Sequence, residues 1–111
     1  MAILQRITLF TAKYGTPPKI YAVEGDTDRD LVAEIGDLNL TGTMTADLWY
    51  FRPDGVRDSV NGTIDTMANT VTAQIDNAIT EEGRVFCQVK ITTSGNVVST
   101  YTFHIIVQKE V

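Results

Sequence analysis

The stretch Val85-Phe86-Cys87-Gln88-Val89-Lys90-Ile91-Thr92 alternates strictly, with Val85, Cys87, Val89 and Ile91 on one side and Phe86, Gln88, Lys90 and Thr92 on the other. A period of two belongs to a strand buried on one face. Ser94-Gly95-Asn96 then supplies a hairpin turn, and the returning segment, Val97 to Gln108, sets Tyr101, Phe103, Ile105 and Val107 on one face. A hairpin of this kind hides its apolar side only against a second layer, so the rest of the chain has to provide one.

The same alternation runs through the remaining sequence. Val71, Ala73 and Ile75 alternate with Thr72, Gln74 and Asp76, and Leu31, Ala33 and Ile35 with Val32, Glu34 and Gly36. Ile3 to Phe10 puts Ile7 and Leu9 opposite Arg6 and Thr8, and Tyr14-Gly15-Thr16-Pro17-Pro18 ends that run because proline has no N–H to give a ladder. Lys19 to Val23 reads as a short strand before the acidic turn Glu24-Gly25-Asp26-Thr27. Met44 to Arg52 is the most apolar run, and Pro53-Asp54-Gly55 turns it back into Val56 to Asp65. Leu38 and Leu40, in the loop from Gly36 to Gly42, are expected to plug one end of the core, and Asn77 to Glu82 has room for one helical turn. Thr, Val and Ile make up 37 of the 111 residues, whereas Leu contributes 6. Branching at Cβ suits a pleated surface better than a helix. The expectation is an all-β chain, residues 1–111 forming one β-sandwich of about seven to nine antiparallel strands. Its first strand (Ile3 to Phe10) and its last (Val97 to Gln108) are natural candidates for free edges that pair with another chain.

Charge and composition exclude several functions. Nine Lys and Arg against fourteen Asp and Glu give a net charge of −5, the wrong sign for unspecific nucleic-acid binding or a polybasic hold on anionic membranes. Hydrophobic residues make up 43 %, too many for a disordered chain, yet charged residues break every apolar run well short of a bilayer span. One cysteine excludes an internal disulfide and a Cys-rich metal site.

Candidate chemistry is sparse. Cys87 and His104 would make a nucleophile–base pair, but Cys87 falls in phase with the apolar face and His104 out of phase with Phe103 and Ile105, so they are expected to point apart. Asp26, Asp28 and Asp30 resemble the opening of a calcium loop, but Leu31 stands where glycine is needed and Asp37 where the bidentate Glu belongs. Glu81 and Glu82 are adjacent and diverge on either a strand or a helical turn. No catalytic residue, cofactor or metal site is expected, and the chain reads as a non-enzyme.

Trp49, Tyr50 and Phe51 are the most informative group, because three consecutive strand residues cannot all enter one core. If Ala46, Leu48 and Tyr50 point inward, Trp49 and Phe51 lie outside beside Asp47 as binding anchors. The alternative is that Trp49 fills the sandwich, as a tryptophan does in antibody-type domains, and Tyr50 faces out. Tyr21 is a further candidate for an outward aromatic, so the interface residues are Tyr21, Trp49 and Phe51.

Several elements occur in a telling order: Gly25-Asp26-Thr27 before a strand, a loop rich in Leu and Gly, and a central strand ending in Phe51-Arg52-Pro53-Asp54-Gly55. A strand–corner–strand passage then turns at Gly83, and Gly95 through Val107 (GNVVSTYTFHIIV) closes the sequence. From about Ile20 to Val107 this order resembles the N-terminal domain of phage baseplate upper proteins, an immunoglobulin-like module. The resemblance implies an immunoglobulin-like sandwich and a virion structural protein, made in the bacterial host cytoplasm and built into the tail baseplate. There it would act as an adaptor that anchors neighbouring or receptor-binding subunits. It implies other phage structural proteins as partners and a homo-oligomer, with a trimer favoured, and neither nucleic acid nor membrane. Members of that family carry further chain beyond the domain, so a sequence reaching only Val111 is expected to be a piece of such a protein or a stand-alone relative with a different partner. A capsid decoration or head-fibre base protein and a carbohydrate-binding module are the alternatives.

Overall fold

The computed structural model describes residues 3–12, 18–75 and 79–109, and within them the chain forms nine strands and no helix. These are β1 (Ile3–Leu9), β2 (Lys19–Val23), β3 (Arg29–Ile35), β4 (Thr45–Phe51), β5 (Arg57–Asp65), β6 (Thr70–Ile75), β7 (Gly83–Thr93), β8 (Asn96–Ser99) and β9 (Phe103–Gln108). The all-β reading holds. The expected helical turn at Asn77 to Glu82 falls partly on residues 76–78, outside the described residues, and the described remainder is a turn with Glu81 N–H donating to the Ile79 carbonyl at 2.8 Å.

The strands form a continuous sheet in the order β1-β3-β6-β5-β4-β7-β9-β2, with β8 paired to β7 beside β9. The sheet curls until its two ends face each other, so the structure is nearly a closed barrel. The Gln5 side chain on β1 donates Nε2–H to the Tyr21 carbonyl of β2 at 2.8 Å, and Arg29 reaches the same oxygen at 3.4 Å. Two pairings correct the expectation of antiparallel strands throughout: β1 runs parallel to β3, and β2 parallel to β9. The reason is the route of the chain, which leaves β1 at one end of the sheet for β2 at the other and then returns to β3 beside β1. The last strand is no free edge either, since β9 lies between β7 and β2.

The bend that folds the sheet onto itself is in β5, whose residues through Gly62 pair with β4 and whose residues from Thr63 pair with β6. A Cβ at Gly62 would stand 2.6 Å from Val71 Cγ1 and 3.2 Å from the Ala46 carbonyl oxygen. Only glycine lets the strand cross that close to both neighbours.

Inside the curl, Leu31, Ala33, Ile35, Val71, Ala73 and Ile75 from one half meet Leu48, Tyr50, Val85, Cys87, Val89, Ile91, Phe103 and Ile105 from the other, all buried. The alternation in β3, β4, β6, β7 and β9 thus carries the core. Leu40 is buried and Leu38 is partly buried against the core, as expected of plugs at one end. Asn69 ties that loop down: its amide donates to the Ile35 and Leu38 carbonyls (2.7 and 2.9 Å), and its Oδ1 accepts from Leu40 N–H (2.8 Å).

Tyr101 departs from the sequence reading, which set it inward with Phe103. It is 43 % exposed, because the return strand breaks at residues 100–102 and Thr100 takes the inward place. Thr100 Oγ1 accepts from Val89 N–H (3.1 Å) and its own N–H donates to the Val89 carbonyl (3.0 Å), a side chain and backbone standing in for a ladder rung.

A candidate protein-interaction face

With Ala46, Leu48 and Tyr50 buried, alternation along β4 directs Asp47, Trp49 and Phe51 to the outer surface of the β2-β9-β7-β4 layer. Of the two readings of Trp49 left open by the sequence, the structure takes the outward one. Register then sets the neighbours. Phe51 stands beside Phe86 of β7, Phe86 beside His104 of β9, and His104 beside Lys19 of β2. In the next row Tyr21 stands beside Ile106, and Ile106 beside Arg84. Tyr21, Phe51 and Phe86 are 62 %, 43 % and 47 % exposed, so each holds a large apolar surface that none of the described residues covers.

The three residues singled out by sequence therefore share one face but are not adjacent. Trp49 and Phe51 lie together, whereas Tyr21 sits three strands away, roughly 14 Å at the usual strand spacing. Phe86, His104 and Ile106 fill the space between them; Phe86 and His104 were read from the sequence as outward, but not as part of one face with Phe51 and Tyr21. Phe86 was legible as outward from the alternation of β7, but its place beside Phe51 follows from the β4–β7 register, which no local pattern carries.

Trp49 is partly buried by its cross-strand neighbours. Arg57 Cζ from β5 and Lys90 Nζ from β7 each lie 4.9 Å from its ring centroid, where a cation is attracted to the negative face of the indole. His104 packs edge-on against Phe86, with ring centroids 4.9 Å apart and planes at 87°. Its pKa is lowered, first by loss of water and then by the charges of Arg84 and Lys19, so it stays neutral at pH 7.

Cys87 and His104 diverge, as expected: Cys87 is in the core, where burial pushes its thiol up to about 12, and His104 is on the outer face. A thiol held in that state supplies no thiolate nucleophile. In the acidic turn, Asp26 is engaged internally. Its Oδ2 accepts from Arg29 Nε (2.5 Å) and Val23 N–H (3.0 Å), and the Arg29 contact chiefly lowers its pKa. Among the described residues no three His, Cys, Asp or Glu side chains gather as a metal site requires, and no helix is long and apolar enough to cross a membrane.

The architecture places the chain in a class of small, all-β modules with an exposed aromatic face. Among solved structures, it is similar to the N-terminal domain of phage TP901-1 ORF48, with a TM-score of 0.66 and 22 % sequence identity over 96 % of this chain and 99 % of that one. That likeness is one of fold. No family model matches the sequence, and no curated protein matches it.

Proposed function

We propose that this chain is a virion structural protein of a tailed phage, an adaptor in the tail baseplate that anchors neighbouring or receptor-binding subunits through protein–protein contacts. The observation that carries the reading is the outer face of β2-β9-β7-β4, where Tyr21, Phe51 and Phe86 stand exposed on a rigid sheet around the partly buried Trp49. Aromatic anchors on a stiff scaffold cost little entropy to dock and leave water readily. The phage setting draws support from the fold likeness to the N-terminal domain of phage TP901-1 ORF48 and from the order of sequence elements. On this reading the chain is non-enzymatic, it is a single domain within the virion, and its oligomer is closed and homomeric, with a trimer favoured.

We read the fold as an immunoglobulin-like sandwich. Supporting this are the antiparallel β3–β6 pair in one layer, β4-β7-β9 in the other, and β2 running parallel to β9 at the margin. The carbohydrate-binding alternative is disfavoured by Trp49, because a sugar ring needs an open indole face and Arg57 and Lys90 both lie over this one.

The test is electron microscopy of virions carrying an affinity tag on this chain, decorated with labelled antibody. Label at the tail tip is expected. Label on the head would favour a capsid decoration or head-fibre base protein, and absence of the chain from purified virions would overturn the structural reading.

A further inference from the structure

The two outer faces of the molecule carry opposite charge. On the aromatic face, Lys19, Arg57, Arg84 and Lys90 point outward with one carboxylate, Asp47, giving +3 in a chain of −5. Among the described residues none of those four cations makes a salt bridge; the ion pairs present are Arg29–Asp26, Arg52–Asp54 and Arg52–Glu81. The outer face of β1-β3-β6 is the reverse. One row runs Thr8, Glu34, Thr70, Asp65 and the next Arg6, Val32, Thr72, Thr63, with Asp30 beside Gln74 beyond them. Three carboxylates against one arginine make this face −2. It also has a shallow depression lined by Arg6, Ile7, Thr8, Val32, Glu34 and Thr70, and the exposed side chains of Thr8, Thr63 and Leu4 (Leu4 55 % exposed) offer apolar contact on the same face.

We infer that the occupant of the aromatic face is a second copy of this chain, docked through its acidic β1-β3-β6 face. The inference rests on the docking role proposed above and names the partner. Like faces repel, since pairing two aromatic faces brings eight cations together and pairing two acidic faces brings six carboxylates together. Unlike faces attract, and the exposed rings of Phe51, Phe86 and Tyr21 would meet the methyls of Thr8 and Thr63 and the Leu4 side chain, with the four cations of one face opposite the three carboxylates of the other. A contact between different faces is heterologous, so a docked pair still presents one free face of each sign to the next copy, and the array closes as a ring, as the closed oligomer proposed above requires.

Sedimentation velocity of the full chain, over a concentration series up to about 1 mM and at about 0.05 and 0.5 M salt, tests this. Self-association is expected, weaker at the higher salt. Arg57→Glu/Lys90→Glu alone and Asp30→Lys/Glu34→Lys alone should each weaken it about tenfold or more, with circular dichroism confirming that both remain folded. If either reversal unfolds the chain, the neutral pair Arg57→Gln/Lys90→Gln or Asp30→Asn/Glu34→Gln replaces it. Mixing the two charge-reversed variants should restore association, because each then meets a face of the opposite sign. A wild-type chain that stays monomeric throughout, or that associates equally well with Asp30→Lys/Glu34→Lys, overturns the inference. Incorporation of Arg57→Glu/Lys90→Glu into virions separates the two levels. If self-association is absent but incorporation is lost, the docking role stands with another acidic partner; if incorporation is also normal, both fall.

Discussion

Replacing Trp49 by alanine asks whether the residue works for the fold or for a neighbour, and Leu48 supplies the control because it is next in sequence and points the opposite way. Leu48 is fully buried, and Leu48→Ala leaves a cavity among Val89, Val60 and their neighbours, a loss of about 3–4 kcal/mol. Trp49 rests on the outside of the sheet under Arg57 and Lys90. Its removal forfeits two cation–ring contacts of about 0.5–1 kcal/mol each and some covered apolar surface. It strands no charge, because both cations return to water. The expected cost is about 1–2 kcal/mol, a fall in melting temperature of roughly 5–10 °C. Urea unfolding followed by circular dichroism measures both variants on one scale. Trp49 is the sole tryptophan, so in the wild-type chain its fluorescence reports on this face alone and should shift to the blue when a partner covers it. A Trp49→Ala loss equal to that of Leu48→Ala would refute the reasoning, since the ring would then be structural.

Four further outcomes are expected. Asn69→Ala removes three hydrogen bonds and leaves alanine at φ 57°, so it should cost about 3 kcal/mol in denaturant titration. Gly62→Ala should destabilise by about 2–3 kcal/mol, and less in a Val71→Ala background, because Val71 Cγ1 is the atom a new Cβ would meet; strict additivity would contradict the crowded corner. The Asp37 carboxyl is held below its ordinary value, first by the N–H groups of Thr11 and Ala12, so its contribution is complete above a pH of about 4 and lost as pH falls through that value toward the lower native one. Asp37→Asn should therefore flatten the acid limb of the stability–pH curve, and parallel curves for the two proteins would rule this out. Cys87, with its thiol pushed up to about 12 by burial, should react with a disulfide reagent at pH 8 at least about a hundredfold more slowly in the native chain than in urea.

The core was legible because one face of nearly every strand is written in period two, and β2 runs from Lys19 to Val23 as the sequence suggests. Long-range pairing was not. Nothing local in Ile3 to Leu9 says that its partner is β3 or that the two run parallel, and nothing in Lys19 to Val23 points to β9 more than eighty residues away. Thr100 was hidden for a different reason. A buried threonine inside a run of alternating aromatics keeps the pattern of a strand while its hydroxyl breaks the ladder. The outward direction of Phe51 followed from β4 alone, but the aromatic row through Phe86 and His104 exists only once β4, β7 and β9 are in register.

Register also decides between two modes of docking. A β-protein assembles by adding a strand to an open edge or by covering a face, and strand addition needs a row of free N–H and C=O groups. Here the two ends of the sheet, β1 and β2, are turned toward each other, and the Tyr21 carbonyl already accepts from Gln5 and Arg29. Just past β1, the Phe10 carbonyl accepts from Tyr101 N–H at 3.0 Å. An incoming strand would have to displace these bonds before making its own, whereas Phe51, Phe86 and Tyr21 give up only water when they are covered. The curl that withdraws the edges is the same one that spreads those rings across a continuous outer layer. In the proposed docking role, recognition would accordingly rest on side chains and their charges, which discriminate between partners, rather than on backbone pairing, which any extended segment satisfies.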